Sequence, residues 1–156
     1  MISKFSKILF PLLLIFLFQN CGYQPLLTEK YRKFNIDTFD ISGDEKLGRM
    51  LANRFVKIAG AENNLICKIN IEKSREVSNK NKSGQILEYT LSISTNLEAL
   101  STQDGSPILI KNYSQRRSYK ASDFYIDTLG REKIITDDLV KSIANQIIND
   151  LNLIYK

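Results

Sequence analysis

The chain contains no histidine. That removes imidazole as a general acid or base, the Ser-His-Asp and Cys-His nucleophile systems, and histidine metal sites. Cysteine is almost as scarce, with Cys21 and Cys67 the only two. If Cys21 carries another group, Cys67 has no partner left and an internal disulfide is excluded. Cys67 alternates with Ile69 and Ile71, the pattern of a small buried thiol rather than a reactive one. No glycine-rich phosphate loop follows a strand pattern. The acidic residues are scattered, and Asp137-Asp138 suit a helix start better than a metal site. These absences argue against an enzyme and call for no cofactor and no metal.

Charge of one sign is not in large excess either. The net charge is +5, and removing Lys4 and Lys7 leaves +3 for the remainder. So mild and scattered a balance argues only weakly for anionic partners, and nucleic acid is not expected.

What is present begins at the N-terminus. Lys4 and Lys7 precede an unbroken apolar run from Ile8 to Phe18, interrupted only by Pro11, after which the composition turns polar. The run covers about 11 residues, whereas a membrane-spanning helix needs roughly 17–25. A basic start, a short apolar core and a polar junction describe a secretory signal. Cys21 at the junction is the position where bacterial lipoprotein signals carry the cysteine that is acylated before cleavage. Phe18 and Asn20 stand where that pattern usually has leucine and a small residue. A secreted protein with an incidental cysteine and an uncleaved single anchor are the alternatives. The resulting division is a lipoprotein signal peptide over 1–20, a lipidated tether over 21–35 and one domain over 36–156, long enough for a real core. The tether carries the basic cluster Lys30, Arg32 and Lys33, which suits a solvated linker or, beside a lipid, anionic head groups.

Along the domain, 36–41 has the composition of a first strand. Ser42 and Glu45 have capping-box spacing, and Leu47, Met50, Leu51, Phe55 and Ile58 then recur at helical steps up to Gly60. The spacing predicts a helix over 44–59. From Leu65 the period becomes two, with Leu65, Cys67, Ile69 and Ile71 on one face. Polar residues 79–84 form a hairpin tip. Leu87, Tyr89, Leu91, Ile93, Leu97 and Ala99, with Thr95 among them, share one face of a strand of about 15 residues, well beyond the usual 5–6. Its other face carries Thr90, Ser92, Ser94 and Asn96, so one side meets a core and the other is wet. A turn at 103–106 leads to a strand from 108 to about 120, in which Tyr113 and Tyr119 share one face and Ile108 and Ile110 the other. The last helix starts either at Asp123, with a weak point at Gly130, or at Thr136. Its stripe of Ile135, Leu139, Ile143, Ile147, Leu151 and Ile154 packs on a sheet. The fold class is α+β: a two-layer sandwich, two helices packed on one face of a mainly antiparallel four-stranded sheet.

Candidate ligand residues are basic. Lys80 and Lys82 sit at the hairpin tip with Arg75 just before it, and Arg116 and Arg117 point to opposite faces of their strand. Such a tip suits phosphate, although turn lysines are also commonly just solvated.

Several short motifs resemble the alphaproteobacterial form of the LPS-assembly lipoprotein family LptE. These are Cys21-Gly22-Tyr23-Gln24-Pro25-Leu26 at the junction, the helix at 44–59, Lys82-Ser83-Gly84-Gln85 at the tip, Glu88-Tyr89-Thr90-Leu91 and Arg117-Ser118-Tyr119. Together they span the mature chain. The resemblance implies a lipoprotein at the periplasmic side of the outer membrane that plugs the LptD β-barrel and helps to place lipopolysaccharide (LPS) in the outer leaflet. On that reading Cys21 carries the lipid, and Arg75, Lys80, Lys82, Arg116 and Arg117 are candidate LPS contacts. Thr90, Ser92, Ser94 and Asn96 would face the barrel. The competing class is a free-standing, periplasm-facing lipoprotein that binds a small ligand or inhibits an enzyme.

The lipid is directly testable. Mass spectrometry of the mature N-terminal peptide is expected to show an acyl mass on Cys21. An unmodified peptide, or an intact Met1, rejects the lipoprotein expectation.

Overall fold

A computed structural model describes residues 32–59 and 61–155. The signal-like segment, Cys21, Lys30 and Gly60 lie outside the described residues. The elements run β1 (Phe34–Gly43), α1 (Glu45–Ala52), β2 (Asn63–Lys80), β3 (Ile86–Ser101), β4 (Pro107–Lys120) and α2 (Tyr125–Ile154). The strands form one sheet in the order β1-β2-β3-β4. β1 runs parallel to β2, and the other pairs are antiparallel. Parallel neighbours need a crossover, which α1 begins, whereas short turns suffice for β2 to β4. Both helices pack on the same face, as the α+β expectation has it.

That face carries the core. Cys67 and Ile69 of β2 lie opposite Ala99 and Leu97 of β3, and Leu65, Ile71, Ile93 and Leu91 continue the same buried face. α2 lays Leu139, Val140, Ile143, Ala144, Ile147 and Leu151 across them. Each Leu, Ile or Val among them contributes about 1.5–3 kcal/mol when fully buried. Thr95 is enclosed with them, and its Oγ1 has no hydrogen-bond partner. In β4 Tyr113 and Tyr119 face the helices, while Ile110 is 70% exposed on the opposite side.

Two expectations need correction. The first helix does not run over 44–59: α1 ends at Ala52, and its cap is Asp44, whose Oδ1 accepts from Leu47 N at 3.1 Å. Ser42 instead stays in β1 and donates to the Ile69 carbonyl at 3.1 Å. Beyond Ala52 competing bonds win. Asn35 exchanges two hydrogen bonds of 2.8 Å with the backbone of Ile58, and Arg32 donates to the Val56 carbonyl. Phe55 meanwhile turns onto Phe39, ring centroids 5.4 Å apart.

The second correction is the tether boundary. Arg32 and Phe34 are buried, and β1 begins at Phe34, so the domain starts before residue 36 and Arg32 is not part of a solvated linker. Of the two starts open for the last helix, the structure follows the earlier one. α2 runs unbroken through Gly130 from Tyr125, so Thr136 lies inside it, returning its hydroxyl to the Glu132 carbonyl at 2.8 Å. Ile154, at the end of the expected stripe, is half-exposed.

Two glycines are required by close approach. Gly43 turns the chain from β1 into α1 at φ +80°, where a Cβ would collide with the Ile71 carbonyl. At Gly48 a Cβ would strike the Ile41 side chain, so α1 could not sit so near the sheet.

The first half of α2 is tied down by polar groups rather than by the core. Glu132 accepts from Lys73 Nζ at 3.1 Å, from Arg75 Nη1 at 2.9 Å and from the Tyr119 hydroxyl at 3.1 Å. Arg75 also lies over the Tyr89 ring, 4.8 Å from its centroid, and Tyr89 stacks on Tyr119. Burial pushes the Glu132 carboxyl up, but the bonds from Lys73 and Arg75 outweigh it and hold the group below the ordinary glutamate range. Burial and the neighbouring Glu132 push the Tyr119 hydroxyl up to about 12.

Two outcomes follow for stability. Leu91→Asp places an unpaired charge in the core and is expected to cost several kcal/mol, comparable with a domain's total of about 5–15. Ser92→Asp, opposite Arg116 in the register, is expected to stay within about 0.5 kcal/mol. Equal loss of thermal stability in both variants would overturn the strand register. For Glu132, a lowered folded pKa means that stability is fully present above the unfolded value near 4.3 and is lost as pH falls through the folded value. Glu132→Gln is therefore expected to cost about 1–2 kcal/mol at neutral pH. Its deficit should shrink in acid, as chemical unfolding at a series of pH values would show.

Candidate functional site

Neither helix covers the other face of the sheet. The antiparallel registers arrange its side chains in cross-strand rows: Asn70, Asn96 and Asn112; Glu72, Ser94 and Ser114; Ser74, Ser92 and Arg116; Glu76, Thr90 and Ser118. Alternation produces this, because every second residue of β2, β3 and β4 points away from the core. The rows are knit together by short bonds. Asn112 Nδ2 donates to Asn96 Oδ1, and the Thr90 and Ser118 hydroxyls lie 2.8 Å apart. Lys68 and Glu98 form an ion pair of 3.4 Å at the near edge. A shallow depression of about 350 Å³ lies there, with Asp40, Asn70, Asn96 and the exposed Ile110 among its lining.

Thr90, Ser92, Ser94 and Asn96 thus share one surface, as alternation predicts, and the structure adds Asn70, Asn112, Ser114 and Ser118 beside them. Sequence reasoning missed these partners because a row needs the register of two hairpins, and each strand's own pattern is silent on it. Along β3 the face offers donors and acceptors on short side chains, flanked by Glu72 and Glu76 on β2 and Arg116 on β4. It is equipped to lie against a polar wall or a water layer.

The hairpin tip between β2 and β3 is built by one residue. Asn81 Oδ1 accepts from Ser83 N, Ser83 Oγ and Gln85 N at 3.1, 2.7 and 2.9 Å. Gly84, at φ +84°, closes the turn with its N–H on the Asn81 carbonyl at 3.0 Å. An asparagine bonding its own backbone two residues on is a recognised turn device, visible in Asn81-Lys82-Ser83. Lys80 and Lys82 are exposed at this ordered tip.

The five candidate cations do not form one site. Arg75 points to the helix side and is held by Glu132, whose hydrogen bond is the leading cause of its raised pKa. Arg117 also points there and pairs with Asp138 of α2 at 2.8 Å. Arg116 stands exposed on the uncovered face, and only Lys80 and Lys82 share the tip. Among the described residues, no group of three or more Cys, Asp or Glu side chains could hold a metal, and no helix is long and apolar enough to cross a membrane.

No protein-family model matches the chain, and no curated protein matches it in sequence. Solved structures do resemble it. A minor lipoprotein from Acinetobacter baumannii superposes with a TM-score of 0.54 at 13% identity, covering 78% of this chain and 92% of that one. A candidate lipoprotein from Caulobacter crescentus gives 0.52 at 13%, covering 79% and 90%. Lipoprotein B from Nitrosomonas europaea gives 0.50 at 14%, covering 75% and 83%. At such identities the likeness is one of fold, and it takes in nearly the whole of each neighbour rather than a shared fragment.

Proposed function

We propose that this protein is a lipoprotein, held by a lipid on Cys21 at the periplasmic side of the outer membrane, that plugs the LptD β-barrel and assists assembly of LPS into the outer leaflet. It works by binding, not by catalysis. The observation that carries this reading is the uncovered sheet face with its rows of short hydroxyl and amide side chains. A face turned to bulk water tolerates long charged residues at every position, whereas the β3 line of this one, from Thr90 to Asn96, is short and uncharged, with Glu72, Glu76 and Arg116 on the flanking strands. That profile suits the polar, water-lined interior of a large barrel. Two further features support it: the lipoprotein designations of proteins with this fold, and the Cys-Gly-Tyr-Gln-Pro junction at 21–25.

Phosphate recognition falls to Lys80 and Lys82 at the tip, with Arg116 as an outlying cation. Arg75 and Arg117 hold α2 against the sheet and reach an anion only if those ion pairs open.

Replacing Ser92 and Asn96 together by tryptophan is expected to leave the protein folded but to abolish its co-purification with the barrel from gently solubilised outer membranes. Lys80→Glu with Lys82→Glu should spare that complex and weaken LPS binding, most at low salt, where the charges are least screened. If the wild-type protein elutes alone, the plug reading is lost.

A further inference from the structure

β2 is longer than its neighbour on one side. Its 18 residues pair with β1 only from Asn63 to Ile71, because β1 stops at Gly43. Past Ile71 the sheet is three-stranded, and residues 72–80 of β2 are exposed without exception. The orientation of the free backbone groups follows from the last bonds made. The carbonyls of Ile69 and Ile71 face β1, accepting from Ser42 Oγ and Asp44 N at 3.1 and 2.8 Å. By strand alternation the N–H and C=O of Lys73, Arg75 and Val77 face the same way, into the space that β1 has vacated.

Directly above that space, between α1 and the first half of α2, lies a groove of about 620 Å³. Met50, Leu129 and Ile134 give it an apolar wall, and Ile134 is 65% exposed. Its charged lining is mixed: Asp44, Glu132, Asp137 and Asp138 are each bonded within the domain, to Leu47 N, Lys73, Arg54 and Arg117, whereas Lys46 and Lys133, among the described residues, are in no ion pair. Open strand edges are normally guarded by charged side chains lying across them. Here Lys73 and Arg75 are drawn upward to Glu132 and Glu72 and Glu76 belong to the opposite face, so on the helix side no charged side chain of the described residues lies across this edge.

We infer that this edge takes an extended segment of another polypeptide, which adds a strand in the line of β1 beside Lys73, Arg75 and Val77. Its inward side chains are apolar with at least one carboxylate, meeting Met50, Leu129, Ile134, Lys46 and Lys133. Unpaired backbone groups in a row call for a peptide backbone, which a lipid or sugar does not offer. The inference holds whether or not the partner is a barrel.

Hydrogen exchange on the full-length protein tests it in three settings: native membranes, vesicles of anionic phospholipid, and detergent solution over a range of concentrations. The amides of Lys73, Arg75 and Val77 are expected to exchange at least about tenfold more slowly in native membranes than in the other two. Val77→Pro removes one edge-facing N–H and should return Lys73 and Arg75 to the fast rate. Absence of protection in native membranes overturns the inference. Protection in vesicles assigns the edge to lipid, protection that rises with concentration assigns it to a second copy, and either result also overturns it. The wild-type comparison stands without the proline variant, should that variant fold poorly.

Discussion

The apolar stripe of α2 laid over β3 and β4 is the contact on which the rest of the molecule depends. β3 lies inside the sheet, and its Leu91, Ile93, Leu97 and Ala99 are sealed beneath Leu139, Ile143 and Ile147. With one face committed in this way, strict alternation turns Glu88, Thr90, Ser92, Ser94, Asn96 and Glu98 to the other. A shift of one residue would exchange the two faces. The uncovered surface is therefore positioned by the core's register. Thr95 is the exception within that core, a hydroxyl sealed without a partner.

A second constraint is the mismatch of lengths. At about 3.3 Å per residue, β2 extends for roughly 60 Å, while β1 and the short α1 cover only its first half. Over the remainder the helix–sheet contact changes in character. Glu132 and its three donors replace buried aliphatic groups, and several apolar side chains near the start of α2, among them Phe124 and Ile126, stay open to solvent. One domain thus has a dry half and a polar half.

Much of this was legible in the amino-acid order. The period-two runs in β2 and β3 and the period of α2 from Leu139 to Leu151 place the core without further help, and the turn at 79–84 is announced by its polar residues. The misreadings have a common cause: bonds between residues distant in sequence. Nothing local reveals that Asn35 will hold Ile58, or that Arg32 will reach the Val56 carbonyl, and these bonds end α1 at Ala52. The candidate cations were readable as a set but not as a site. Whether Arg75 and Arg117 are available depends on Glu132 and Asp138, 57 and 21 residues further on. Registers of paired strands, which create the Asn70-Asn96-Asn112 row, are likewise invisible to single-strand periodicity.

The chain enters the domain at Arg32, beside the end of α2, where Phe34 meets Tyr155 with ring centroids 5.9 Å apart. The hairpin tip is at the opposite end of the sheet. Tension applied through the preceding chain and resisted at that tip runs parallel to β1. Because β1 is paired along its length with β2, the strand is sheared rather than peeled, and its ladder bonds share the load instead of failing one after another. A pull along that axis therefore meets the whole β1–β2 ladder at once.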